Sequence, residues 1–245
     1  MLPQPTPFLP WGQFALTAAA LALASVSALA NPVPENIDFG NVIAEDEDHL
    51  YYASRRNWDT ETCHIQPYGV IYGHVPHGGD AGDRDQLTVG CDAIRPQEMV
   101  ITHDYVYFTQ QAPGDPPLVL RAPLDGAGLP EELHMAMSTA IATDGDYVYY
   151  FATNGIMRFP VDSPNAIEFV ASYIANGTVN DLEHANGWLV WTEAYFAGGG
   201  AIQTVAAGGG AVYLLEGTPG TPWDLTYSDD YIYWSELEGR ILRRE

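Results

Sequence analysis

The chain has 245 residues, with nine arginines and no lysine against 32 aspartates and glutamates, for a formal net charge of −23. That balance argues against nucleic acid and anionic membrane as partners, since both are held by a cationic surface. It suits a solvated acidic surface, cationic ligands or high salt, and the missing lysine also fits a bias of genomic base composition.

Residues 1–30 carry no charged side chain, and Phe14 to Leu29 is an Ala/Leu-rich apolar run closing on Ala28-Leu29-Ala30 before Asn31-Pro32. This is the pattern of a cleaved secretory signal, although its start lacks Lys or Arg. A membrane anchor is the alternative, against a usual span of about 20 apolar residues. The expected organisation is a signal peptide over 1–30 and one domain over 31–245, secreted or periplasmic, with no stable membrane span once the signal is removed. Cys63 and Cys91 both follow the signal. Export makes a disulfide between them the expected state, with two free thiols as the alternative. Closing a loop of that length stabilises by about 3–4 kcal/mol on the chain-entropy argument.

Residues 31–42 begin Pro-rich and contain the short apolar piece Ile37-Asp38-Phe39-Gly40. A pattern then sets in and returns along the chain. Two apolar anchors stand seven positions apart in Ile43 and Leu50, Met99 and Val106, Ile141 and Val148, Leu182 and Leu189, and Leu225 and Ile232. Two positions after the second anchor comes a large aromatic residue: Tyr52, Phe108, Tyr150, Trp191 or Trp234. Between the anchors lie Asp48, Asp104, Asp146 and Asp230, and Asn186-Gly187 in the fourth copy, residues that tolerate tight hairpin turns. The aromatic positions are 56, 42, 41 and 43 residues apart, within the roughly 40–45-residue range of propeller blades except for the long first interval.

Each copy reads as apolar strand, turn, aromatic strand, loop and third strand, the last visible in Val119-Leu120-Arg121, Ile156-Met157-Arg158, Ile202-Gln203-Thr204 and Ile241-Leu242-Arg243. Weaker apolar runs over 132–136, 167–171 and 211–215 supply a fourth strand. A single such sheet cannot bury both its faces, so the copies must stack around an axis. The predicted fold class is all-β: a β-propeller of four-stranded antiparallel blades in five repeats, either a closed five-bladed ring or a fragment of a six- to seven-bladed propeller. The fifth copy offers three strands, and Ile37–Gly40 is expected to pair with Ile241–Arg243 and close the ring, removing exposed edges. A closed ring predicts a monomer.

Val190-Trp191-Thr192-Glu193 and Tyr233-Trp234-Ser235-Glu236 resemble the YWTD-type propellers of lipoprotein receptors and their bacterial relatives, over residues 42–245. The other copies depart from the motif: Tyr51-Tyr52-Ala53-Ser54, Tyr107-Phe108-Thr109-Gln110 and Tyr149-Tyr150-Phe151-Ala152 lack the final acid. The resemblance implies that the aromatic and acidic positions are structural, packing and bonding neighbouring blades, and that the protein is a binding platform. That family usually has six blades.

Asp181 and Asp224, with Glu98 in the equivalent place, lie eight positions before the second anchor of their copies, where carboxylates of different blades could converge at the mouth of the axis. Five-bladed glycosidases place an acid and a base or nucleophile there; bonding to backbone or facing channel water is the structural alternative. Trp58 and His64 lie in the long loop after Ser54, while Tyr195, Phe196 and Trp223 are expected on loops where aromatic faces suit a sugar or peptide, packing between blades being the other reading. His74 and His77 match no zinc spacing, and Asp80, Asp83 and Asp85 no calcium loop, so neither metal nor cofactor is expected. Asn176-Gly177-Thr178 is a glycosylation sequon where the source glycosylates. The Gly runs at 198–200 and 208–210 precede strand-like residues, whereas phosphate cradles open helices. The sequence therefore points to an exported, non-catalytic binding module for a peptide, protein or glycan. The alternatives are a glycoside hydrolase-like enzyme using Asp181, Asp224 and Glu98, and a truncated propeller acting only in an assembly.

Overall fold

A computed structural model describes residues 96–245 apart from 112–113, 126–129 and 174, together with the backbone of strands between 39 and 86. The chain is all-β among these residues. The first sheet comprises β1 (Phe39–Glu45), β2 (His49–Ser54), β3 (Val70–Pro76) and β4 (Asp85–Gln86). The second holds β5 (Pro96–Ile101), β6 (Tyr105–Gln110), β7 (Leu118–Pro123) and β8 (Glu131–Met135). The third holds β9 (Ile141–Thr143), β10 (Tyr147–Ala152), β11 (Gly155–Pro160) and β12 (Glu168–Ser172). The fourth holds β13 (Gly177–Ala185), β14 (Trp188–Tyr195), β15 (Gly200–Ala206) and β16 (Tyr213–Thr218). The last has three strands, β17 (Pro222–Ser228), β18 (Tyr231–Glu236) and β19 (Arg240–Arg244).

Every sheet is an antiparallel meander in chain order. The first strands follow one another, β1 against β5, β5 against β9, β9 against β13 and β13 against β17, so the small sheets form a propeller-like arrangement with these strands innermost. The turns between first and second strands carry the required residues. Asn186 and Gly187 have φ of 48° and 81°, and Asp229 and Asp230 have 52° and 66°, the paired positive values of a two-residue hairpin turn whose twist matches its strands.

The second strands of the second, third and fourth sheets, β6, β10 and β14, are covered on both faces along most of their length, which is why they read as nearly continuous apolar runs rather than alternations. Cores accordingly lie between sheets. Tyr107 and Val119 of the second sheet meet Ile141, Val148, Tyr150 and Phe159 of the third. Tyr149, Phe151 and Ile156 of the third meet Val179, Leu182, Leu189 and Trp191 of the fourth. The Trp191 ring takes Phe151 edge-on at 5.6 Å and Tyr173 at 5.1 Å, contacts that add about 0.5–1.5 kcal/mol each beyond burial.

Polar stitches tie the sheets where the cores end. The fully buried Glu193 accepts hydrogen bonds from Tyr173 Oη, Asn176 N and Gln203 Nε2, and so pins the connection arriving from the third sheet. Its neighbour Thr192, equally buried, donates forward to Trp223 O at 2.7 Å, and Thr109 donates likewise to Thr139 O in the next connection. The acid and hydroxyl of the motif thus reach backward and forward, one sheet each way. In the third sheet Phe151 occupies the hydroxyl position and makes its reach with an aromatic edge instead.

The C-terminal sheet departs from the expected closure. Phe39 and Gly40 belong to β1, with Phe39 opposite Ser54 of β2, so this piece is not the outer strand beside β19; Ile37 and Asp38 lie outside the described residues. Ile241 is 79% exposed, whereas its equivalents Val119 and Ile156 are fully buried beneath the following sheet.

Removing the stitches should cost stability in proportion to what is left unpaired. Thr192→Val, which orphans the part-buried Trp223 carbonyl, is expected to lose about 1–2 kcal/mol in urea unfolding, and Glu193→Ala, which orphans Tyr173 Oη and Asn176 N and leaves Gln203 Nε2 with Tyr173 alone, about 3 kcal/mol or more. Equal losses would contradict the assignment of Glu193 as the main tie.

Candidate functional site

The inner strands do not run regularly where the chain enters them. Pairing registers shift between Pro96 and Met99 in β5, between Val179 and Asp181 in β13, and between Pro222 and Leu225 in β17. Such bulges re-aim side chains that an unbroken strand would point elsewhere. Glu98, Asp181 and Asp224 all sit at these shifts, and Glu183 follows Asp181 by two residues on the same face of β13.

The structure brings the four carboxylates within each other's field. Burial pushes Glu98 up to about 9, with repulsion from Asp181, Asp224 and Glu183 adding to it. Burial likewise raises Glu183 to about 7, with Asp181 adding. Asp181 rises to about 6: burial leads, amide hydrogen bonds oppose it and Asp224 adds to it. Asp224, exposed at the rim, is shifted upward by its partial burial. Among the described residues none of the four has an ion-pair partner.

Asp181 differs from the others in what its oxygens do. Oδ1 accepts from its neighbour's amide, Leu182 N, at 2.7 Å, and Oδ2 accepts from Leu225 N of β17 at 2.6 Å. Beside it Asn180 Nδ2 donates to Pro222 O at 2.7 Å. The carboxylate is therefore a strap between two inner strands, satisfying a Leu225 amide that the bulge in β17 frees from its ladder.

Pairing of Gly177 with Tyr195 sets the end of β14 beside the start of β13, and the Thr192–Trp223 bond sets it beside the start of β17. Tyr195, Phe196 and Trp223 therefore share one end of the molecule with Asp181 and Asp224. Phe196 is 84% exposed and Trp223 46% exposed, so neither serves mainly as packing between sheets. Tyr195 is half-buried and closes β14, so it stands on a strand end rather than on the loop expected for it. Trp58, His64, Cys63 and Cys91 lie outside the described residues. Glu183 was not anticipated by the repeat, because no other copy has an acid there; the period-two alternation from Asp181 would have found it. No group of three or more His, Cys, Asp or Glu among the described residues is arranged to hold a metal ion.

No protein-family profile and no curated protein matches the sequence. Solved structures do. A protein assigned as TolB from Agrobacterium tumefaciens superposes with a TM-score of 0.54 at 13% identity, over 76% of this chain and 65% of that one. Virginiamycin B lyase from Staphylococcus aureus gives 0.56 at 15% identity, over 83% and 69%. The computationally designed Ika4 protein gives 0.50 at 12% identity, over 64% and 94%. These likenesses establish the propeller fold and nothing of the chemistry, and the chain spans less than two thirds of the TolB protein's length.

A carboxyl whose pKa is raised in the folded protein favours folding most when protonated. Its contribution is full below the ordinary value, 4.5 for the glutamates and 3.8 for the aspartate, and is lost as pH climbs toward about 9 for Glu98, toward about 7 for Glu183 and toward about 6 for Asp181. The melting temperature should accordingly fall between pH 5 and pH 9 by about 5 °C or more, and Glu98→Gln should flatten that fall. A wild-type profile that is level or rising across this range would refute the placement of these groups.

Proposed function

We propose that this chain is an exported, non-catalytic propeller that binds a peptide, protein or glycan at the end of the axis where Trp223, Phe196 and Tyr195 stand beside the carboxylates. Its full form on this reading is a monomeric, five-bladed ring, with Trp58 and His64 on the long first loop adding to the same face. Export rests on the apolar residues 1–30 and a Cys63–Cys91 disulfide on that export. The observation that carries the non-catalytic reading is the use of both Asp181 oxygens by backbone amides, which ties down one of the three acids of the enzymatic alternative and leaves it only Glu98 and Asp224. Two exposed aromatic faces next to an uncompensated negative field suit a ligand with apolar or sugar faces and a positive or hydroxyl-rich rim.

A second reading is favoured by one property of Glu98. A carboxyl pushed up to about 9 stays protonated at neutral pH, as the acid of a glycoside hydrolase must, and the exposed Asp224 would then be its base or nucleophile. That one solved neighbour is a lyase indicates only that propellers admit catalysis.

Presenting the protein to arrays of glycans and peptides tests both. The binding reading expects retention without turnover, with Trp223→Ala combined with Phe196→Ala weakening it at least about tenfold; unchanged affinity would reject the site. The enzymatic reading instead expects bond cleavage that Glu98→Gln slows by about 10²–10⁴ while folding is kept.

A further inference from the structure

At the entry of β17 a side chain holds the backbone of four consecutive residues. Pro222 O accepts from Asn180 Nδ2 at 2.7 Å and Trp223 O from Thr192 Oγ1 at 2.7 Å, while Asp224 N donates to Ser235 Oγ at 3.3 Å and Leu225 N to Asp181 Oδ2 at 2.6 Å. Asn180, Asp181 and Thr192 all belong to the neighbouring fourth sheet. A close packing contact adds to the bonds. A Cβ at Gly200 would collide with the Pro222 ring, so the absence of a side chain there lets Pro222 sit on the first residue of β15, at the base of the hairpin that carries Phe196.

Two bulges create this arrangement. Asn180 is the extra residue between Val179, opposite Glu193, and Asp181, opposite Thr192, and the irregularity aims Asn180 and Asp181 at β17. In β17 Trp223 and Asp224 together oppose Ser235 alone, and both are exposed between the buried Pro222 and Leu225. The backbone is therefore fixed from the fourth sheet while two consecutive side chains stand outward. Burial alone does not account for it, since the Trp223 side chain gains little cover and the Asp224–Ser235 bond lies at the surface. Binding does account for it: a segment ordered in advance loses less conformational freedom when a ligand stacks on it.

We propose that Asn180, Asp181 and Thr192 are positioning residues of the axial site, holding residues 222–225 so that the Trp223 indole meets the ligand in one orientation. The inference rests on the binding reading above and adds to it the residues that set affinity through Trp223.

The test labels the full chain with 5-fluorotryptophan, assigns the Trp223 fluorine resonance by Trp223→Phe, and presents the same variants to the glycan and peptide arrays. The wild type should give one narrow Trp223 line. Asn180→Ala combined with Thr192→Val should broaden or split it, while the lines of the buried Trp191 and Trp234 keep their widths. Array retention should weaken about threefold to tenfold, the cost of ordering a side chain and its loop on binding. Replacing Thr192→Val by Thr192→Ser, which keeps the hydroxyl, should recover part of both. Added to Trp223→Ala, the Asn180→Ala and Thr192→Val changes should cost nothing further. An unaltered Trp223 line, no recovery by Thr192→Ser, or the same loss of retention with and without Trp223, as a merely structural role predicts, would overturn the proposal. Retention that Trp223→Ala removes but the Asn180 and Thr192 changes spare would reject the positioning role alone, whereas arrays that retain nothing would reject the binding reading and this inference with it.

Discussion

A four-stranded sheet whose second strand is apolar on both faces cannot exist alone, and that requirement dictates the rest of this molecule. β6, β10 and β14 each need a neighbouring sheet on either side, so the cores form between sheets rather than within them. Stacking in turn brings loop and strand ends of adjacent sheets together, where their backbone groups need partners. Thr192, Glu193 and Thr109 supply these, so the motif residues after the core aromatic are positioned by the packing they complete.

The same stacking gathers the inner strands around an axis and makes the axial carboxylates neighbours. Burial there is a consequence of geometry, and the raised Glu98, Glu183 and Asp181 follow from it. Such groups oppose folding once ionised, so their presence needs a return. For Asp181 the return is visible in the strap to Leu225. For Glu98, Glu183 and Asp224 it is not structural within the described residues, which is why the axial end, with its exposed Trp223 and Phe196, is the site on which a functional reading rests.

Much of the fold was legible because its determinants are local and repeated. The seven-residue spacing of anchors reports a hairpin, and the turn residues Asn186-Gly187 and Asp229-Asp230 have the conformations that hairpin needs. The third strands fall where the Val119, Ile156, Ile202 and Ile241 segments predict, and the fourth strands of the second, third and fourth sheets begin within two residues of expectation. Closure was not legible, since whether Phe39 joins β2 or β19 is decided by packing between the chain's distant ends. The common offset of Asp181, Asp224 and Glu98 is legible in the sequence, but their bulges are not, because a register shift leaves no mark in composition. Tyr195 reads as a loop residue because the Gly run after it obscures the long β14.

Native-state hydrogen exchange across the sheets tests most directly whether packing between sheets, rather than each sheet by itself, holds the fold. The protected amides of β6, β10 and β14 should open with one shared free energy, and that value should drop together when a single inter-sheet tie is cut. Separate, unequal opening energies for the three strands, with only the altered sheet responding, would mean that each sheet is stable alone and would contradict the account.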